Sequence, residues 1–497
     1  MQKHKIQFIR FIYICLFTLV LSACGGGEGD TSGGGGLTNQ VPIAIAGPNQ
    51  SVTSGATVRL DGSGSSDSDG SIASYTWTQT AGITVSLTGA GTSNASFTAP
   101  SVNAQETLIF QLAVTDNGGA TATSNVSVTV NPATGFAGDG QLDLVVDTIR
   151  QRHGLPSLAA IIIRNDQTIE KSAMGNRSVD ANIPVTVNDQ WHIGSITKSM
   201  TSLLAALLVR DGFIQWTSTL ADIYPELVGI MLPEYQDVRL EELLSHISGL
   251  PRDPLFPVTY YWDGDTRPFP EQRQEIVSKS LVLPPTNTRG EFAYSNLGYI
   301  VAGSMLERVT GSDWESLIQD YVFNPLVMTQ AGFGAPDTQG TLAQPVGHSL
   351  LSSGVWSPWD PWDPGVKALY DSADVFGPAG TVYASLDDMA TYLGLHLRGL
   401  RGETVTGFLT GQEFAKLYTP FPNSNYALGW SVENLFIAHN GSNGLWLALA
   451  NVSANRNAAF FIVTNAVDDA FDPNGHSWSA INELRDELYT RFDAAFP

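Results

Sequence analysis

Cysteine is almost missing from this chain: Cys15 and Cys24 are the only two in 497 residues. Both lie near the start, so the body of the protein holds neither a disulfide framework nor a cysteine-bound metal. Basic residues are also scarce. Lys and Arg total 25 against 48 Asp and Glu, a net charge of −23. That field repels phosphate backbones and argues against nucleic acid as a partner. Three catalytic signatures are absent. There is no Gly-x-Ser-x-Gly, hence no nucleophile elbow of the α/β-hydrolase kind. There is no His-Glu-x-x-His, and no Gly-rich phosphate loop opening a helix. Nothing in the sequence asks for a catalytic metal or a cofactor.

What is present divides the chain into parts. Residues 1–23 carry Lys3, Lys5 and Arg10 and then a short apolar run, FIYICLFTLVLSA. That is the layout of a secretory signal, too short for an ordinary membrane span. It ends in Leu21-Ser22-Ala23-Cys24, which resembles the bacterial lipobox. The resemblance implies cleavage before Cys24, a lipid on that cysteine, and no membrane contact other than this anchor. Gly25 in the next position implies the outer membrane. Residues 24–40 are a Gly-rich tether, spanning roughly 20–25 Å.

Residues 41–132 change to period-two patterning. Leu108, Phe110, Leu112 and Val114 alternate, as do Val126, Val128 and Val130. Turn clusters such as LDGSGSSDSDGSI separate the runs, so a β-sandwich is expected, with Tyr75 and Trp77 facing its core. The stretch AGPNQSVTSGATVRLDGSGSSDSDGSIASYTWTQ resembles a PKD-type immunoglobulin-like domain. Asp61, Asp67 and Asp69 either hold calcium or are turn residues. Nothing here can do nucleophilic chemistry, so this part spaces the protein or binds envelope polysaccharide or protein.

Residues 133–140 form a linker, and 141–497 a third part. QLDLVVDTIRQRHG reads as an amphipathic helix and SLAAIIIRN as a strand. YALGWSVEN, LFIAHNG, GLWLALANVSA and AAFFIVTNA read as strands joined by short turns, hence antiparallel. Ile481, Leu484, Leu488 and Phe492 keep helical spacing in the last segment. An antiparallel sheet drawn from both ends, flanked by helices, with a mostly helical insertion near 195–420, is expected.

The chemistry concentrates in WHIGSITKSM. Met200, Leu203, Leu204, Leu207 and Leu208 fall on one helical face, and Ser195 and Lys198 lie one turn apart at its start. A serine hydroxyl needs a neighbour to take its proton. A lysine desolvated against an apolar helix has a depressed pKa and can be that neighbour. Ser195-Ile-Thr-Lys198 is the sole Ser-x-x-Lys, and Tyr294-Ser-Asn296 the sole Tyr-x-Asn. His439-Asn-Gly441 follows on a strand. His192-Ile-Gly194 adjoins the serine too closely to be a separate element.

Tetrad, Tyr-x-Asn and strand motif in this order resemble the class C β-lactamase and penicillin-binding-protein superfamily. LLSHISGLP, FNPLVMTQAGFG, GPAGTVYASLDDMATYL and YALGW match its connecting segments. The resemblance implies an all-β sandwich followed by an α/β serine β-lactamase-like fold. It implies Ser195 as a nucleophile forming an acyl-enzyme and Lys198 keeping its proton network poised. It makes Tyr294 a general base, its phenol acidified by the nearby cation, and Asn296 a hydrogen-bond partner of the lysine or of a substrate amide. The backbone N–H groups of Ser195 and Ser442 become the oxyanion hole. His439 falls at the cleft edge, steering a carboxylate or sharing protons with Tyr294. Lactamases of this class carry Lys-Thr-Gly where this chain has His-Asn-Gly, which points to small acyl substrates, esters or D-amino-acid peptides and amides. β-Lactam hydrolysis and D-Ala-D-Ala carboxypeptidase activity are the alternatives, and a non-catalytic surface binding protein is the alternative of another class. Trp262, Trp356, Trp359 and Trp362 either line the cleft or are ordinary packing.

Overall fold

The computed structural model describes residues 38–53, 56–100, 102, 105–131, 139–255, 265–336, 341–360, 374–422, 424–433, 436–468, 472 and 474–495. Cys24, Trp262 and Trp362, and most of the tether and linker, lie outside the described residues. Two compact units emerge, one ending at Asn131 and the other holding the rest of the chain.

The first unit is built by alternation. Leu108, Phe110, Leu112 and Val114 are fully buried, and so are Val128 and Val130 on the neighbouring strand. Their strands, Glu106–Asp116 and Thr121–Asn131, pair antiparallel in a four-stranded sheet with Ile72–Ala81 and Gln50–Thr53 at its edges. Gln50–Thr53 runs parallel to its neighbour. A second pair, Thr57–Asp61 with Asn94–Thr98, supplies Leu60 and Phe97 to the same core. Phe97 meets Phe110 at 4.7 Å between ring centroids. Trp77 is buried, whereas Tyr75 is only half-buried. Asp61 accepts the Ser63 N–H two residues on, a turn bond, and Asp69 accepts the Gln40 N–H from a distant segment. Among the described residues no three of His, Cys, Asp or Glu are grouped so as to hold a metal.

The second unit is a seven-stranded antiparallel sheet. Its order is Ser431–Glu433, Phe436–Ser442, Leu447–Ser453, Ala458–Thr464, Ser157–Arg164, Gln167–Ser178 and Ala181–Pro184. The strands from the two ends of the unit thus meet in mid-sheet. Ser157–Arg164 reads SLAAIIIR without alternation because both of its faces are covered. Ile161 and Ile163 face one core with Met200, Leu204 and Met389. Leu158, Ala160 and Ile162 face the other, with Val146, Ile149, Ile481, Leu484, Leu488 and Phe492 of the helices Leu142–Arg152 and His476–Ala495. The helix carrying Lys198, Thr197–Arg210, is buried from Thr197 to Leu208, so it is sunk in the insertion rather than lying on it by a single apolar face.

One buried ion cluster ties the insertion together. Arg273 is fully enclosed and pairs with Glu307 and Glu315. It also donates to the carbonyls of Val375, at 3.1 Å, and Asp374, at 3.0 Å. These two residues lead directly into the helical turn Gly377–Gly380. Arg273→Met should cost roughly 3–5 kcal/mol, because it strands the buried Glu307 carboxylate. Urea unfolding measures that loss. A midpoint equal to wild type would mean that the cluster contributes nothing.

Candidate active site

Ser195 sits in the middle of a 3-10 turn, Gly194–Ile196, that runs into the helix Thr197–Arg210. Gly194 starts the turn with φ +52°, a backbone state that glycine adopts without strain. The His192 ring accepts the Gly194 N–H at 3.1 Å, so that histidine shapes the turn. One helical turn on, the Lys198 Nζ stands 3.0 Å from the Ser195 Oγ. The same nitrogen donates to the Ala379 carbonyl at 2.5 Å. Lys198 has no exposed surface, and neither hydrogen-bond partner is charged. Desolvation therefore holds its amine well below the usual lysine range, with Asp253 opposing and Arg252 assisting.

Tyr294 completes the centre. Its phenol faces the Ser195 side chain, which favours the ionised form. Its ring lies 4.9 Å from the Lys198 Nζ and 5.4 Å from the Arg252 guanidinium. The expected acidification of the phenol does not occur. Burial pushes it up to about 12, outweighing the Ser195 side chain and the Arg252 charge. In this state Tyr294 is a proton donor. Asn296, expected on the lysine or on a substrate amide, gives its amide to Asp253 at 2.7 Å and does not reach the lysine. Lys198 is committed to Ser195 and Ala379, and Asn296 opens the helix Asn296–Thr310, where Ser295 is the cap.

The strand Phe436–Ser442 ends against the nucleophile turn. A Cβ on Gly441 would stand 2.7 Å from the Ser195 nitrogen, and one on Gly194 would run into the Ser442 nitrogen. Glycine at both places lets the two backbones meet, which brings the N–H groups of Ser195 and Ser442 to adjoining positions. His439 departs from expectation. It is 4% exposed and does not stand at the cleft edge. Its Nδ1 faces the Asn440 carbonyl at 2.6 Å and its Nε2 the Tyr426 hydroxyl at 2.9 Å. A carbonyl only accepts, so Nδ1 carries the proton and Nε2 accepts from Tyr426. Desolvation, with Lys198 nearby, pushes its pKa down to about 3. A neutral, enclosed imidazole cannot steer a carboxylate by charge.

LLSHISGLP, GPAGTVYAS and YALGW read in the sequence as connecting segments, with no roles for their residues. They and the loop after LLSHISGLP supply His246, Arg252, Ala379 and Tyr426 to the site. The tryptophans separate. Trp356 packs against the core beneath the sheet and bonds the Gly154 carbonyl, so it is packing. Trp359 lines an apolar cavity with His192, Leu445 and Trp446, immediately after Ser442.

Buried neutral histidines predict acid sensitivity. His192 and His348 are pushed down to about 4, and His396 and His439 to about 3, each chiefly by desolvation. The unfolded chain protonates first as pH falls through about 6.5. Their stabilisation is therefore complete above about 6.5 and is lost as pH drops toward 4. Each should favour unfolding by up to about tenfold between pH 7.5 and 5.5. Thermal midpoints at those two pH values test this, and equal midpoints would contradict it.

Comparison with known proteins agrees with this fold. The Beta-lactamase family model matches residues 142–482, and a PKD domain model matches residues 46–130. Beta-lactamase-like protein 2 of Dictyostelium discoideum is 27% identical over 259 residues, covering 51% of this chain and 44% of that protein. The chain thus spans under half the length of that relative. The D-amino acid amidase of Ochrobactrum anthropi SV3 superposes with a TM-score of 0.57 at 19% identity, over 72% of this chain and 99% of that one. The class C β-lactamase of Rhodobacter sphaeroides gives 0.53 at 16% identity, over 70% and 100%. At such identities the structures speak for the fold alone, but the family model covers more than half of the sequence, and the chain belongs to the Beta-lactamase family.

Proposed function

We propose that the protein is a serine hydrolase working through an acyl-enzyme on Ser195, and that it acts on esters or D-amino-acid peptides and amides. The carrying observation is the Lys198 amine, depressed by burial and 3.0 Å from the Ser195 Oγ. As the neutral base, Nζ takes the hydroxyl proton while Oγ bonds the acyl carbon. The Ser195 and Ser442 N–H groups hold the oxygen that becomes negative. Tyr294, with its phenol pushed to about 12, gives its proton to the leaving group as that bond breaks. It is reprotonated from Lys198. Water then repeats the sequence on the acyl-enzyme. Lys198 thus takes the base role that the family resemblance gave to Tyr294.

The neutral state of His439 supports small acyl substrates over β-lactams, since the strand offers no fixed charge to a carboxylate. The amidase among the structural neighbours is consistent with this reading. The cavity at Trp359 and Trp446 suits an apolar group on the substrate. We further propose that a lipid on Cys24 holds the enzyme at the cell envelope. Among the described residues no helix is long and apolar enough to cross a membrane.

Ser195→Ala should abolish labelling by a fluorophosphonate probe and turnover of p-nitrophenyl esters, with thermal stability unchanged. Activity near wild type would remove Ser195 from the mechanism. Tyr294→Phe should lower kcat by at least about a hundredfold. A loss of only a few-fold, measured on the same esters, would give the leaving-group proton to another residue.

A further inference from the structure

His246 lies outside the three motifs, yet it addresses Tyr294 from two sides. Its carbonyl accepts the Ala293 N–H at 2.8 Å. Its Nδ1 accepts the Ser295 N–H at 3.0 Å. One residue therefore clamps the backbone immediately before and immediately after the tyrosine. The imidazole also packs on the phenol ring, 4.4 Å between centroids with the planes tilted by 37°. Two more rings of the site touch the same imidazole, Tyr426 at 4.7 Å and Tyr299 at 5.2 Å. Tyr426 is the partner of His439, and Tyr299 faces Lys198 at 5.6 Å.

Two further observations mark the residue. Its φ is +61°, the left-handed region in which a non-glycine residue is held only by its surroundings. It is 1% exposed, and its Nε2 has no hydrogen-bond partner among the described residues. Because Nδ1 accepts from a backbone N–H, Nε2 carries the proton of the neutral ring. A buried donor without an acceptor is destabilising. The structure bears this and the backbone strain at one position, between the loop 245–252 and the segment 290–296.

We infer that His246 is a positioning residue: it fixes the backbone and ring of Tyr294 so that the phenol rests on the Ser195 oxygen. It transfers no proton itself, since Nδ1 is committed and Nε2 meets no reacting group. The inference rests on the serine-hydrolase reading given above. Displacing a reacting group by about 1 Å can cost a hundredfold in rate, so a loosened Tyr294 should be visible in kcat.

Two substitutions separate the clamp from simple packing. His246→Phe keeps a ring but removes the acceptor for Ser295. His246→Asn restores an acceptor near the Nδ1 position and tolerates the left-handed backbone. With p-nitrophenyl acetate, His246→Phe should lower kcat by about ten- to a hundredfold and leave KM within about twofold. His246→Asn should recover at least about a third of the wild-type kcat. The deciding measurement is the double variant. If His246 acts through Tyr294, His246→Phe should cost no more than about twofold further in a Tyr294→Phe background, because the phenol it positions is already gone. Rates of fluorophosphonate labelling extend the comparison to slow variants, and circular dichroism checks the fold. Multiplying losses in the double variant would overturn the inference and leave a packing role, as would a His246→Asn variant no better than His246→Phe. If wild type turns over the ester but Tyr294→Phe is nearly as active, the clamp has no catalytic object and the inference fails while the nucleophile assignment stands. If wild type neither labels nor turns over any ester, the hydrolase reading itself fails.

Discussion

Lys198 brings its amine into a space with no exposed surface, where both hydrogen-bond acceptors are uncharged oxygens. Charging it there is unfavourable, and the surrounding architecture can be traced to that constraint. The helix is buried all round, which strips water from the amine. The Gly377–Gly380 turn presents the Ala379 carbonyl and is itself held by the Arg273 cluster. Aromatic rings from Tyr294 and Tyr299 close the remaining sides. Each layer keeps the amine dry, and a dry amine can take the proton of a serine hydroxyl at neutral pH.

The same dryness explains why neighbouring groups are neutral. A low-dielectric pocket raises phenols and lowers imidazoles together. Tyr294 is a donor because of it, and His246 and His439 are uncharged. Within the buried part of the site only Lys198 can carry a positive charge, and burial opposes it. Charged side chains such as Arg252 and Asp253 are about half exposed, where solvent screens them.

Patterns of short range were legible in the sequence. Ser195 and Lys198 meet because they are one helical turn apart. The strands of both cores follow from alternation or from unbroken apolar runs, and the final helix follows from Ile481, Leu484, Leu488 and Phe492. Features made by distant segments were not legible. The Ala379 carbonyl reaches Lys198 across most of the insertion, and His246 meets Tyr294 from a different loop. The burial of His439 depends on Tyr426, whose ring no periodicity reveals. The phenol of Tyr294 shows the difficulty best. A nearby cation, Lys198, was expected to acidify it; Arg252, which the sequence did not single out, acts in that direction instead, but the burial that overrides it belongs to the tertiary structure alone.

The junction of Gly194 and Gly441 also bears on the life history of the chain. Ser195 and Lys198 are made early, whereas the strand that lies against them is made roughly 250 residues later. Strands from the beginning and the end of the unit share the same sheet, so the first of them has no complete seat until the last has been synthesised. A nascent or truncated chain therefore has a serine and a lysine but not the Ser442 amide beside them. Such a topology works as an interlock: the turn that carries Ser195 gains its neighbouring strand only when the sheet is closed.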